Sequence, residues 1–117
     1  MKEHVVSIAQ DYSRFPGGRI PEDGPYCASV FRDDILLPAI KNAKSATACL
    51  FVDFDGTEGY GTSFLEETFG GLIRERGFTK MQIQEVLRFR SSREWVLRLV
   101  EKYINDAELK RLAKHGK

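Results

Sequence analysis

Residues 47–54, TACLFVDF, are nearly all apolar and decide the fold. A short continuous run of this kind is typical of a strand that is covered on both faces, and we interpret it as the central strand of a sheet. The apolar run HVVSIA at 4–9 predicts a first strand, and the alternating VLRFR at 86–90 predicts a one-sided strand. A short strand at Arg19–Ile20, which Pro21 would limit to an edge or a strand end, brings the expected sheet to about four strands.

Three helical patterns separate and follow these strands. Residues 29–44 carry apolar side chains at helical spacing, with Ser29 placed to cap the helix and Pro38 placed to kink it. Residues 63–76 predict a second helix, and Ser92 begins a third. Strands that alternate with helices are typical of an α/β layered domain, so we predict a mixed sheet packed with helices.

Length and composition narrow the class of protein. The chain has 117 residues, is 42% apolar and has a formal net charge of +1, which predicts one small domain over residues 1–117 and argues against broad binding to nucleic acid or anionic membrane. No apolar run is long enough to cross a bilayer, and the first residues lack the pattern of a signal peptide. Cys27 and Cys49 are interpreted as packed, reduced cysteines, with a bridge or a metal site as the less favoured alternative. We therefore expect a cytoplasmic protein.

Two glycine positions in the second predicted helix need a reason. Each glycine of Gly70–Gly71 costs about 1 kcal/mol of helix stability relative to alanine, which predicts the close approach of a neighbouring strand or helix. Gly77 is expected to end the helix as the residue after its C-cap.

The stretch GYGTS at 59–63 places two hydroxyls where the chain turns from strand to helix. Ser63 and Glu66 have the spacing of a capping box, which is a complete structural explanation for the serine. The same stretch follows the carboxyl end of the central strand, where α/β sheets carry their functional crevice, and a phosphate on either hydroxyl would be stabilised by the helix dipole. Thr62 is the less costly target of a kinase, because phosphorylation of Ser63 would have to break the capping box.

Asp53 and Asp55 flank the end of the central strand and could together hold Mg²⁺. No third ligand is evident at a useful spacing, so we favour structural roles in the loop and the turn. FPGGR at 15–19 has some likeness to a phosphate-binding glycine loop, but a turn is favoured, with Arg19 pairing with a carboxylate or facing solvent.

A basic and aromatic segment near the third strand is a further candidate. It could bind nucleic acid through Arg88, Arg90 and Arg93, interleaved with Phe89 and Trp95. Neighbouring glutamates dilute the charge, so a solvated face is favoured.

The block VDFDGTEGYGTSFLEETFGGLIRERG at 52–77 resembles the core motif of the bacterial STAS-like domain family of unknown function. An Asp-ended strand is followed by Ser-Phe-Leu-Glu-Glu and then by Phe-Gly-Gly-Leu. The matching residues are Ser63, Phe64, Leu65, Glu66, Glu67, Phe69, Gly70, Gly71 and Leu72. FPGGR resembles the family's Gly-Arg loop, and Phe31-Arg32 with Leu36-Leu37-Pro38 resembles its first helix.

The resemblance implies a non-enzymatic regulatory module without a cofactor. The wider STAS group includes bacterial anti-sigma factor antagonists, in which a histidine-kinase-like ATPase phosphorylates a serine at the start of the helix after a central strand. By that comparison Thr62 and Ser63 are the phosphoacceptor candidates, although Gly61 and Phe64 stand where the antagonists have Asp and Gly. The implied partner is such an ATPase or an anti-sigma-type regulator, docked on the Gly56–Phe64 loop and the start of the helix.

Two alternatives from other functional classes stay open. The first is a small enzyme, or a domain that binds a phosphorylated ligand or a metal, with Asp53, Asp55, Ser63 and Arg19 gathered around it. The second is a nucleic-acid or phage-related interaction protein that uses the arginines of residues 88–98. The sequence does not predict the oligomeric state.

Overall fold

Three parallel strands form the sheet in the computed structural model, which describes residues 4–115. The strands are β1 (His4–Ser7), β2 (Leu50–Asp53) and β3 (Leu87–Arg90), in the spatial order β1-β2-β3. The prediction that residues 47–54 contain the central strand is confirmed. Both β1 and β3 run parallel to β2, and the carboxyl-terminal residues Ser7, Asp53 and Arg90 are aligned across the sheet.

The predicted mixed sheet of about four strands is wrong for the described residues, which form three strands with one direction. Arg19 and Ile20 do not form a strand. Both of their amides donate to the carboxylate of Asp23, at 2.9 and 3.2 Å, and are therefore used within the local turn instead of in a ladder. A 3₁₀-helix follows at Pro21–Asp23.

Five helices complete the described part of the chain. A single turn, α1, covers Ile8–Asp11, and the first strand ends before it because Ser7 Oγ caps this turn by accepting from the Gln10 amide. The longer helices are α2 (residues 28–45), α3 (residues 62–74), α4 (Lys80–Val86) and α5 (Glu94–His115). Helices α2 and α3 each contain a π-helical stretch, at Phe31–Leu36 and Glu66–Gly70.

The helix ends differ in part from the predictions. Ser29 is not the cap of α2, because the helix begins one residue earlier, after Cys27. The chain stays helical through Pro38, and the π-helical stretch lies just before it. Proline has no amide hydrogen to donate, so a local change in helical hydrogen bonding at this position is expected. Helix α5 begins at Glu94, two residues after Ser92. Gly77 has φ +77° and the Phe78 amide donates to the Leu72 carbonyl at 3.0 Å, so the predicted glycine termination of α3 is confirmed.

The hydrophobic core lies on one face of the sheet. Leu50 and Val52 of β2 point into it, together with buried side chains from α2, α3, α4 and α5. The opposite face carries Val5 and Phe51, which lie outside this core, so the prediction that β2 is covered on both faces is wrong. Helix α5 packs on α3 rather than on the second face of the sheet. Within residues 4–115, no helix combines the length and the apolar character that crossing a membrane requires.

Candidate functional site

The turn at residues 61–63 starts α3 without a side-chain cap. Gly61 is the N-cap residue, with φ −73° and ψ 147°, and having no side chain it makes no capping hydrogen bond. Thr62 is the first helical residue and is exposed, and Ser63 follows it half-buried inside the helix. The first-turn amides of α3 therefore have no side-chain acceptor from the N-cap, and the positive end of the helix dipole lies at the two hydroxyls.

The predicted capping box of Ser63 and Glu66 is wrong. The serine is already inside the helix, and the Glu66 carboxylate points to two arginines instead of returning to the Ser63 amide. The argument that phosphorylation of Ser63 must first break a capping box therefore falls away. What still distinguishes the two hydroxyls is exposure, because Thr62 is exposed and Ser63 is half-buried.

Glu66 and Glu67 are the centre of an ion-pair network that we call the arginine clamp, formed with Arg19, Arg32 and Arg74. Arg19 Nη1 donates to Oε1 of both glutamates, and Arg74 reaches Glu66 Oε2 at 2.8 Å and Glu67 Oε1 at 3.1 Å. Burial opposes the ionisation of Glu66, but the hydrogen bonds from Arg74 and Arg19 outweigh it and lower the pKa of that carboxyl. The clamp ties the FPGGR loop to α3.

The innermost member of the clamp is Arg32, which is only 3% exposed. Its Nη1 donates to the Glu67 carboxylate at 2.8 Å and to the Glu67 backbone carbonyl at 3.0 Å, and its Nε donates to Asp33 at 2.9 Å. Asp33 also accepts from Arg76 at 2.7 and 3.0 Å. The Glu67 carbonyl lies in the π-helical stretch of α3, where the regular helical bonding is altered, and the buried guanidinium gives it a donor.

The glycine pair of α3 makes room for this network. A Cβ on Gly71 would overlap Arg32 Nη1, and a Cβ on Gly70 would lie 2.6 Å from Glu66 Oε2 and 3.5 Å from the Tyr103 carbonyl of α5. The predicted close approach is confirmed, with clamp side chains as the nearest neighbours and a helix behind them. The residues quoted for the family resemblance at 19, 32, 66–67 and 70–71 thus meet in one place.

Asp53 and Asp55 hold the loops at the carboxyl ends of the strands. Asp53 Oδ1 accepts from the Asp55 amide at 2.9 Å, and Asp55 Oδ1 accepts from the amide and the hydroxyl of Ser92 at 2.8 and 2.9 Å. The two Ser92 bonds lower the pKa of the Asp55 carboxyl. Within residues 4–115, no group of three or more His, Cys, Asp or Glu side chains is arranged to hold a metal ion.

The enzyme alternative required Asp53, Asp55, Ser63 and Arg19 to gather. Arg19 is paired with Glu66 and Glu67, and Asp55 is bonded to Ser92, so these groups belong to separate networks. Five surface depressions of about 330–460 Å³ are described, and none of these five is lined by the four predicted residues.

The basic and aromatic segment is divided by the sheet. Phe89 packs against the core, whereas Arg88 and Arg90 are exposed, and the Arg90 guanidinium lies 4.8 Å from the centre of the Phe51 ring on the opposite face. Arg93 donates to the Thr57 carbonyl at 3.2 Å. The arginines and aromatics that alternate in sequence do not form one continuous patch.

Sequence reasoning missed a group of exposed apolar side chains beside the turn. Phe15, Ile20 and Tyr26 are 64%, 47% and 43% exposed. Their loop is joined by ion pairs to residues before and after the turn at 61–63. Arg14 pairs with Glu58 at 2.8 Å on one side, and Arg19 joins Glu66 on the other. The sequence does place apolar residues inside a glycine- and proline-rich loop. Such residues are seldom needed to form a turn, so their presence could have indicated an exposed apolar surface.

The other side of the turn is fixed as well. The Tyr60 hydroxyl donates to the Phe54 carbonyl at 2.6 Å, and burial raises the pKa of Tyr60 to about 12, so this hydroxyl remains protonated. The Phe64 ring is buried beside Tyr60 and Phe31. Phe64 therefore positions the turn from within the core and is not a surface contact. We call the exposed surface of Thr62, Ser63, Phe15, Ile20 and Tyr26 the helix-start surface.

A family model described as a STAS-like domain of unknown function matches residues 28–91, which is more than half of the chain. The chain belongs to this family, as the motif at 52–77 predicted. The matched range contains α2, β2, α3, α4 and β3, but not the FPGGR loop or α5. No curated protein and no solved structure matches the chain.

Proposed function

We propose that this STAS-like chain is a regulatory protein-interaction module that docks a partner protein through the helix-start surface. The observation that carries the proposal is the combination of an exposed Thr62 at an uncapped helix start with three exposed apolar side chains in the adjoining loop. Exposed apolar groups that lie together on the surface mark protein interaction sites, and ion pairs at Arg14 and Arg19 hold this loop in place.

The proposed partner is a kinase-like ATPase or an anti-sigma-type regulator, and the proposed setting is the bacterial cytoplasm. This class of partner is suggested by the resemblance to the STAS anti-sigma factor antagonists. Both cysteines are free thiols, with Cys27 buried and Cys49 half-buried, which agrees with a reducing compartment. No cofactor is invoked, because docking and release need only surface complementarity.

Phosphorylation of Thr62 is the proposed switch. Thr62 and Glu66 are four residues apart, so a phosphate on Thr62 would lie on the same helix face as the Glu66 carboxylate that holds Arg19. The added charge would be favoured by the helix dipole and would compete with Glu66 for Arg19. Release of Arg19 would loosen the loop that carries Ile20 and so change the docking surface.

The experiment is to mix the purified protein with the kinase-like ATPase encoded nearest to its gene, with and without ATP. Intact mass and size-exclusion chromatography are then measured. We expect a complex without ATP, one added phosphate with ATP, and loss of that phosphate in Thr62→Val but not in Ser92→Ala, whose hydroxyl lies in a different loop. Absence of a complex in every condition would contradict docking, and a complex without added phosphate would contradict only the switch.

A further inference from the structure

The outer edge of β3 is open in the described part of the chain. β3 is the last strand in the order β1-β2-β3, and no strand among residues 4–115 pairs with its second edge. The Arg90 carbonyl accepts from the Phe54 amide at 2.9 Å, so the backbone groups of Arg90 face toward β2. Neighbouring residues of a strand direct their amides and carbonyls to opposite edges, so the backbone groups of Leu87 and Phe89 face outward.

One pair of backbone groups on this edge is left for another chain. The Leu87 amide donates to the Ile83 carbonyl at the end of α4, and the Leu87 carbonyl accepts from Arg88 Nη1 at 2.8 Å. By contrast, the amide and the carbonyl of Phe89 bond to no other residue of the described range. Unpaired groups at a strand edge are a template for a further strand, because backbone groups that lose water need a hydrogen-bond partner.

A groove of about 460 Å³ lies beside this edge, between α4, β3 and α5, and we call it the β3 groove. Ile83, Leu87 and Ile104 form its buried apolar walls. Leu97 of α5 also lines it, and this side chain is half-buried but does not belong to the core. Both helices lie on the core face of the sheet, so the groove is where a strand added beside β3 would place its core-facing side chains.

The charges around the β3 groove select neither an acidic nor a basic occupant. Lys80 of α4 and Glu101 of α5 both line it, and the Arg88 guanidinium is already bonded to backbone carbonyls. Recognition must therefore come from the backbone of the occupant at Phe89 and from an apolar side chain against Leu97. Extended peptides that add to a sheet edge are bound in this way, with main-chain hydrogen bonds and with pockets for alternate side chains.

A second copy of this chain fits the edge less well than a single extended segment. Two β3 edges would meet around a two-fold axis normal to the sheet, which keeps the helices of both copies on the same face. The α4 and α5 helices of each copy, about 10 Å in diameter, would then compete for the space above the paired edges. One extended strand needs about 4.8 Å beside β3 and brings no helix with it.

We propose that the β3 edge binds an extended segment of a partner protein, which adds a fourth strand to the sheet. The segment pairs with both outward backbone groups of Phe89 and places an aliphatic side chain in the β3 groove against Leu97. The groove is formed by α4, β3 and α5, none of which contributes to the helix-start surface. The two proposals can therefore fail independently.

The test is amide hydrogen exchange of the ¹⁵N-labelled chain, followed by NMR. The probe is an acetylated and amidated hexapeptide, Lys-Val-Thr-Val-Thr-Lys. In the free chain the Phe89 amide should exchange much faster than the amides of Arg88 and Arg90, which face β2. At a dissociation constant of about 1 mM, peptide at about 2 mM occupies about two thirds of the chain and should slow the exchange of the Phe89 amide about threefold.

Two modified peptides test the backbone pairing. One is N-methylated at both valines and the other at both threonines, so each loses the central donors of one edge while its side chains are kept. Since one edge of the added strand faces β3, one modified peptide should bind like the parent peptide and the other at least about tenfold more weakly.

Two variants of the chain locate the binding. Leu97→Asp places a carboxylate over the apolar groove and should weaken binding of the parent peptide at least about tenfold. Leu97 lies outside the core, so the fold should persist, as a dispersed spectrum would show. Leu112→Asp, at a 46% exposed position of the same helix that does not line the groove, is the matched control and should bind like the parent chain.

Five results would overturn the proposal. A Phe89 amide that exchanges as slowly as that of Arg90 in the free chain would show that the edge is closed. Unchanged exchange with the peptide, binding of both N-methylated peptides like the parent peptide, or full affinity of Leu97→Asp would each exclude the added strand. Protection of the Phe89 amide that grows with the concentration of the chain alone would assign the edge to a second copy.

Discussion

Replacement of Arg32 by methionine should be one of the most destabilising single changes in this chain. Methionine approximates the length and apolar stem of arginine but removes its donors, so the Glu67 carboxylate loses one partner and the Glu67 carbonyl loses its side-chain donor. Arg32 is 3% exposed, so water cannot easily replace the lost bonds. Breaking a buried ion pair by removing one member costs about 3–5 kcal/mol.

The expected cost for Arg32→Met is at the lower end of that range, about 3 kcal/mol, because Arg19 and Arg74 still bind Glu67. The matched control is Arg98→Met on α5. The Arg98–Glu94 pair is 3.6 Å apart and its side chains are 69% and 83% exposed, so its loss should cost under about 0.5 kcal/mol.

The assay is urea denaturation followed by circular dichroism, with the free energy of unfolding compared among the parent and both variants. A loss below about 1 kcal/mol for Arg32→Met, or a loss equal to that of Arg98→Met, would refute the reasoning that the clamp is a buried, mutually dependent network. If Arg32→Met does not fold, Arg32→Lys is measured in its place. Lysine keeps the positive charge but lacks the planar guanidinium group, so the free energy of unfolding should fall by an intermediate amount.

Three further predictions concern the same region. Gly71→Ala should lower the free energy of unfolding, measured by urea denaturation, by about 1–3 kcal/mol, because the added Cβ meets Arg32 and this outweighs the better helix propensity of alanine. Gly59→Ala is the control, since, apart from its neighbours in the chain, no described residue places an atom within 4 Å of the Cβ added there. Equal effects of the two substitutions would contradict the close packing of Gly71. The pKa values of Glu66 and Asp33 are lowered, because hydrogen bonds from arginines outweigh the effect of burial. The ionised carboxylates therefore stabilise the folded state fully above about pH 5, and this stabilisation is lost as the pH falls through the lowered pKa values. A pH series of melting temperatures should show this fall, and Glu66→Gln should flatten it. Gly61→Ser should raise the melting temperature by an amount equivalent to a few tenths of a kcal/mol, because the new hydroxyl can cap α3. Apart from the residues next to it in the chain, the described residues place one atom within 4 Å of the added Cβ, Ser63 Oγ at 3.8 Å, so the serine fits. An unchanged melting temperature would argue against an uncapped helix start.

Patterns that are local in sequence predicted the corresponding structure well. The apolar run before Asp53 predicted the central strand, the alternation at 86–90 predicted β3, and Gly77 predicted the end of α3. These predictions hold because each element depends on residues that are near one another in the chain. The capping box at Ser63 was wrong for a reason that is not local. Glu66 has arginine partners 47 residues before it and 8 residues after it, and these compete with the Ser63 amide for its carboxylate.

The clamp and the second face of the sheet could not be predicted from spacing alone. Arg32 and Glu67 are 35 residues apart, and only the packing of α2 against α3 brings them together. The π-helical stretch of α3 likewise has a tertiary partner, because Arg32 supplies a donor to the Glu67 carbonyl. The run at 47–54 was interpreted as covered on both faces because it is apolar throughout, but Phe51 lies outside the core, so an apolar side chain within such a run does not establish that its face is covered.

The central claim is that the helix-start surface docks a protein partner. The most direct measurement is isothermal titration of the kinase-like ATPase with the parent chain and with a chain that carries Phe15→Ser and Ile20→Ser. Leu109→Ser, at a 66% exposed position on α5, serves as the control. The account predicts that the double variant binds at least about tenfold more weakly while the control binds like the parent. Equal affinity in all three chains would contradict it.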